Sequence, residues 1–139
     1  MVMGVNVYYG TIGILTRLAM SKKVAVTIVA VVYGKRWSFL RQVLDACVSE
    51  SRYTNFIIVD NGCADAEAID AYTAPYGERM IILRQDKNIG YSGAINQGLA
   101  RARTTSSDFV FILDDDSVPE EGAVDHFLTN LAMFGERKV

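Results

Sequence analysis

Four short apolar runs, each followed by a stretch of helical periodicity, restrict this chain to very few folds. The runs are VAVTIVAVV at 24–32, NFIIVD at 55–60, RMIILR at 79–84 and DFVFILD at 108–114. The first is continuous and β-branched, which suits a central strand covered on both faces. After it, Leu40, Val43, Leu44 and Cys47 recur at three and four residues and predict a helix from Trp37 to about Glu50. Asn61-Gly62 reads as a turn, and an Ala-rich helical stretch spans 64–73 and stops before Pro75. A third helix starts near Tyr91 or Ser92, with Ile95, Leu99 and Ala102 as its apolar stripe. Pro119 suits the first turn of a fourth, which carries Val124, Phe127, Leu128 and Leu131.

Strand and helix in strict alternation predict a Rossmann-like α/β fold, a mostly parallel sheet with helices on both faces, because right-handed crossovers place them there. With 139 residues there is one such domain, able to bury roughly two thirds of the surface of its unfolded chain. In open sheets of this kind ligands sit beyond the carboxyl ends of the strands. Three loops are therefore expected on one rim: Tyr33 to Arg36, Asp60 to Asp65, and Asp114 to Asp116.

Residues 1–23 read differently from 24–139. The first sixteen carry no charged side chain but include Asn6, two tyrosines and three glycines, and then meet Arg17. That is short of the roughly 20 apolar residues of a membrane span, and it lacks the basic start of a secretory signal. The expectation is that residues 1–19 are an extension upstream of a natural start near Met20 or are weakly ordered, with contact to a membrane surface as the alternative. A net charge of −2 and the lack of a Lys/Arg run exclude a nucleic-acid field. Cys47 and Cys63 form neither a CxxC nor a zinc pattern, and read as free thiols of a cytoplasmic protein.

Asp114, Asp115 and Asp116 repel one another unless a positive group offsets them, and a divalent cation is the simplest such group. In an extended or gently turning segment Asp114 and Asp116 point to one side and Asp115 to the other. A D-x-D pair of that kind offers hard oxygens to Mg2+ or Mn2+, which also take phosphate oxygens. A solvated loop or a helix cap is the competing reading. Asp60 ends the second strand and suits a ribose hydroxyl or a base N–H, or else an Asx-turn. In DKNIGYSGAINQG, Asn88 and Gly90 precede a helix start whose free N–H groups suit phosphate, although structural packing explains the glycines equally well. Lys35, Arg36 and Arg84 are placed to meet a phosphate or to solvate the rim. Tyr33 suits a nucleobase or packing, and His126 reads as surface.

Taken together, VAVTIVAVVYGKR, FIIVDNG, NIGYSGAINQGL and FVFILDDD resemble the family 2 glycosyltransferases, inverting enzymes of the GT-A fold, over about residues 24–133. The resemblance implies that Val32, Tyr33 and Gly34 line a base pocket and that Asp60 bonds the base or ribose. It further implies that Asn88 and Gly90 border the diphosphate and donor sugar, that Asp114 and Asp115 lie near ribose and diphosphate, and that Asp116 ligates the metal, with Asp114 as its D-x-D partner. Arg36 belongs to the same nucleotide-binding set. The implied partners are a UDP- or dTDP-activated sugar and a glycan or lipid-linked acceptor of polysaccharide or cell-envelope assembly. The implied place is the cytoplasm, or the inner face of the cell membrane as a peripheral protein.

Two departures from the family pattern stand out. Thr-Tyr-Asn is common after the first strand, whereas here it is Val32-Tyr33-Gly34. Family members also usually run on for a hundred residues or more through an acceptor-binding part that supplies the general base. This chain therefore reads as a truncated, amino-terminal donor-binding piece, with the base expected beyond Val139 and an exposed apolar surface prone to self-association. A sugar-nucleotide pyrophosphorylase fits less well, because Tyr33-Gly34-Lys35-Arg36 is a poor match to its Gly-rich loop. A receiver-like regulatory domain would carry its acidic cluster near the first strand, not the fourth.

Overall fold

The computed structural model describes residues 24–136. Two compact units divide the chain: Ala25–Pro119, and a second to which Val24 and residues 120–136 belong among those described. The first unit holds a four-stranded parallel sheet of β1 (Val26–Gly34), β2 (Tyr53–Cys63), β3 (Met80–Arg84) and β4 (Phe109–Leu113), in the order β3-β2-β1-β4. Its helices are α1 (Trp37–Cys47), α2 (Ala66–Thr73) and α3 (Tyr91–Ala102), and a 3-10 segment covers Ala74–Arg79. The second unit contains α4 (Ala123–Glu136). The expected order of four strands and four helices is observed. The expectations for residues 1–23 lie outside the described residues, except that Val24, Ala25 and β1 follow where the first apolar run begins.

The sheet's two-residue period explains why β1 is apolar throughout. Val29 and Val31 join Ile57 and Val59 of β2 and Ala94, Ile95 and Ala102 of α3 in one cluster. Residues of the opposite parity, Ile28, Ala30, Val32, Phe56 and Ile58, are buried as well, so both faces of the central strands are covered. On α1 the predicted stripe of Leu40, Val43, Leu44 and Cys47 is the buried one. Gly98 is the point of closest approach of α3. A Cβ there would lie 2.4 Å from Cγ1 of Val29 and 3.2 Å from Cγ2 of Val59. Thr27, fully buried in β1, satisfies its hydroxyl with Thr105 at 3.0 Å and Ser107 at 2.6 Å.

Two local expectations are corrected. Asn61-Gly62 is not a turn closing β2; the strand continues through it to Cys63, which pairs with Gly34 after a register shift. The fourth helix does not start at Pro119 but at Ala123, because Gly122 takes φ +74°, outside helical space, and interrupts the chain between them. Of the two forms expected for the acidic triplet, the turning one is observed: Ser117 N donates to Asp114 O at 3.3 Å, closing a turn over Asp115 and Asp116. At the β4 edge, Val110 and Ile112 are 39% and 46% exposed although they share the α3 face with Thr27 and Val29.

Candidate functional site at the switch point of the sheet

The chain steps from β1 to β2 in one direction, and from β3 returns past both to β4 on the other side of β1. The strand order therefore reverses between β1 and β4, and the crevice beyond their carboxyl ends is where α/β sheets of this type bind ligands. Arg36 stands at that crevice, immediately before α1. Its Nε donates to Asp115 Oδ2 at 2.5 Å and its Nη2 to Asp115 Oδ1 at 2.7 Å, a two-pronged pairing, while Nη2 also reaches Asp116 Oδ2 at 2.8 Å. The guanidinium lies 5.7 Å from the Tyr33 ring centroid and 5.1 Å from that of Phe39. Asp115 raises the Arg36 pKa still further, so this charge is permanent.

The protein itself thus supplies one positive group to the triplet, held by Asp115 and Asp116 but not by Asp114. The turn lets Asp115 and Asp116 share Arg36. Asp115 is buried, while Asp114 and Asp116 are exposed. Asp114 accepts from the Tyr91 hydroxyl at 3.0 Å, which ties the β4 loop to the first residue of α3. Burial, and after it Asp114, raises the Tyr91 pKa, so the phenol stays a donor.

Beside this lies Asp60, 2% exposed at the end of β2. Its Oδ1 accepts from Cys63 N at 2.7 Å, the Asx-type bond anticipated as one alternative, and its Oδ2 meets Arg84 Nε at 3.1 Å. Arg84 in turn holds Asp70 through two nitrogens, at 3.2 and 2.8 Å. Of the residues assigned to a base pocket, Val32 is wholly buried, Tyr33 is 44% exposed, and Gly34 O accepts from Ala64 N at 2.6 Å. Asn88 and Gly90 form the loop that enters α3, with Gly90 N donating to Asn88 Oδ1 at 2.8 Å. All the candidate residues therefore gather along one rim.

Asn61, read from the sequence only as part of a turn, is a buried participant. Its Nδ2 donates to Asn88 Oδ1 and Gly90 O, and its Oδ1 accepts from Ile89 N. Tyr91 was noted only as a helix start. Neither role has a local signature, because each depends on a partner more than 20 positions away.

Residues 27–132 match the model of glycosyl transferase family 2. The chain belongs to that family. Solved structures agree on the fold. Residues 1–349 of TarS from S. aureus superpose with a TM-score of 0.61 at 12% identity, over 76% of this chain and 31% of that one. A mannosyltransferase from Pyrobaculum calidifontis, PcManGT, determined with GDP-Man and Mn2+, superposes with a TM-score of 0.61 at 17% identity, over 96% of this chain and 40% of that one. The chain thus spans about a third to two fifths of the length of these neighbours. No curated protein sequence matches it. Membership of the family sets aside the pyrophosphorylase and receiver-like readings. Among the described residues no helix is long and apolar enough to cross a membrane, and no three Asp, Glu, His or Cys side chains group as a metal site.

Proposed function

We propose that this chain is the donor-binding part of a family 2 glycosyltransferase that takes a sugar from UDP or dTDP, with inversion and with help from a divalent cation. The observation that carries the reading is the Arg36–Asp115 pairing, which joins the loops after β1 and β4 across the switch point. Around it stand the groups such a donor needs. Tyr33 offers an exposed ring to a base. Asp60 keeps lone pairs for a base or ribose donor. Because Arg84 covers Asp60 and is already bonded to Asp70, a nucleotide reaching Asp60 would slide Arg84 toward Asp70 without leaving the guanidinium unpaired. Asn88, Gly90 and the amino end of α3 would face the diphosphate.

Asp114 and Asp116 fit Mg2+ or Mn2+: both are exposed, both are hard oxygen donors, and such cations are held by one or two carboxylates completed by substrate phosphates and water. A three-carboxylate cage is not required for that mode. When bound, the cation would offset charge on the departing nucleoside diphosphate. The chain's own task is to hold the donor and aim it. Its rim acids face the donor side, so the base that deprotonates a glycan or lipid-linked acceptor is proposed to come from beyond Val139, and the chain alone to bind nucleotide but transfer poorly.

Calorimetric titration of UDP and dTDP with and without Mn2+ tests this reading. Binding that appears only with the metal supports it. Equal binding without metal removes the role given to Asp114 and Asp116, and no binding of either nucleotide overturns the proposal. Robust sugar transfer by the chain alone would refute the assignment of the base to another segment.

A further inference from the structure

Asn61 makes more hydrogen bonds outside its own strand than any role in a turn would need. Its side chain is 1% exposed. From inside the sheet edge its Nδ2 donates to Asn88 Oδ1 at 3.1 Å and to Gly90 O at 3.3 Å, and its Oδ1 accepts from Ile89 N at 2.9 Å. Three consecutive residues of the loop entering α3 are thus held by one carboxamide. Asn88 Oδ1 also accepts from Gly90 N, so the clamp and the loop's own bond share an acceptor. The neighbouring main chain tightens the same loop: Asp60 O accepts from Gln85 N at 2.8 Å. At Gly62, with φ +79°, a Cβ would stand 3.2 Å from Asn88 N, so the loop packs directly on the backbone.

Only an amide side chain can do this. An aspartate would keep the bond from Ile89 N but set a charge against two carbonyl oxygens, and a leucine of similar volume would remove the bonds to Ile89 N and Gly90 O and leave Asn88 Oδ1 only Gly90 N. Buried polar groups with several partners fix one arrangement where a loop could otherwise take several. What is fixed here is the backbone leading into the free N–H groups at the start of α3, whose first residue also donates to Asp114.

We propose that Asn61 is a positioning residue of the nucleotide-sugar site, holding Asn88–Gly90 in the one conformation that presents the amino end of α3 to the donor diphosphate. This rests on the donor-binding reading above. Asn61 touches no donor atom itself; it acts through Asn88 and Gly90.

Asn61→Asp and Asn61→Leu, compared with the unaltered chain, test the proposal by amide hydrogen exchange and by titration with UDP and dTDP in Mn2+. Exchange at Ile89 and Gly90 should quicken by about ten-fold or more while the amides of β1 keep their protection. Affinity for the nucleotide should fall by about ten-fold, with uridine, which lacks the diphosphate, binding as weakly to the variants as to the unaltered chain. If neither variant folds, Gly62→Ala presses on the same loop without touching the carboxamide, and should give the same paired loss. Protected loop amides in Asn61→Asp would overturn the clamp. Freed amides with unchanged nucleotide affinity would overturn its positioning role. If the unaltered chain binds neither nucleotide while its loop amides are protected, the donor-binding reading fails and the diphosphate role falls with it, whereas the clamp stands.

Discussion

Arg36 and Asp115, 79 positions apart, form a two-pronged ion pair at 2.5 and 2.7 Å that ties the end of β1 to the end of β4. Asp115 is 7% exposed, so removing that partner would leave a buried carboxylate without its ion pair. Arg36→Met should therefore lower the urea midpoint, since it leaves the carboxylate buried and unpaired. Asp115→Leu should lower it less, because the partly exposed guanidinium keeps Asp116 as a partner. The double variant should lie closer to the unaltered chain than the sum of the two, because a pair replaced by apolar groups leaves nothing unpaired. Simple additivity in the urea melts would show that the pair carries no coupling.

Gly98 predicts a steric failure of known location. An alanine methyl would meet Val29 Cγ1 at 2.4 Å, inside any tolerable contact. Gly98→Ala should cost about 1–3 kcal/mol, the usual penalty for overpacking a filled core. Val29→Ala removes the obstructing branch, so Gly98→Ala with Val29→Ala should recover part of that loss. Chemical denaturation of the three variants decides it, and a Gly98→Ala chain as stable as the original would show that α3 sits farther from the sheet.

The fold was legible because burial on both faces of β1 leaves its mark as an unbroken β-branched run, and the helices announce their stripes at three- and four-residue spacing. The Tyr33–Arg36 loop and the aspartates are legible as a rim because parallel strands place their carboxyl ends together. What escaped was pairing across the rim. Nothing near Arg36 in the chain names Asp115 as its partner, so the sequence offers only a phosphate or solvent for its charge. Asn61-Gly62 carries a strong turn signal, yet register with Gly34 draws it into β2 and turns the amide toward the next loop. Asp115 is buried between exposed Asp114 and Asp116, the sidedness expected of the triplet, but its partner Arg36 lies 79 positions away.

Alkaline pH should weaken the fold in a defined window. Burial pushes the Cys47 thiol up to about 11 from 9.0 and the Tyr53 phenol up to about 12 from 10.0. Below pH 9 both groups are protonated in the folded and unfolded chain, and they add no pH dependence. Above it the unfolded chain releases these protons first, so it binds fewer than the native state and stability falls as pH rises. The melting temperature should drop between about pH 9 and 12, and Tyr53→Phe should flatten the upper part of that decline. A flat profile from pH 9 to 12 would contradict the burial of these two groups.

Arg36 also predicts how the site should respond to metal before any nucleotide arrives. Its Nη2 occupies Asp116 Oδ2 at 2.8 Å, and a cation held by Asp114 and Asp116 would compete for that oxygen and be repelled by the guanidinium. Removing the charge should favour the cation, whereas removing the oxygen should oppose it. Arg36→Gln is therefore expected to bind Mn2+ alone several-fold more tightly than the unaltered chain, by roughly 1 kcal/mol, and Asp116→Asn more weakly than either. With UDP present the order should narrow, since diphosphate oxygens supply ligands that Arg36 does not block and add negative charge beside it. Calorimetry with Mn2+ alone, then with Mn2+ and UDP, separates the two contributions. If Arg36→Gln leaves the Mn2+ affinity unchanged while Asp116→Asn abolishes it, the guanidinium and the cation do not share Asp116, and the competition drawn from this geometry is wrong.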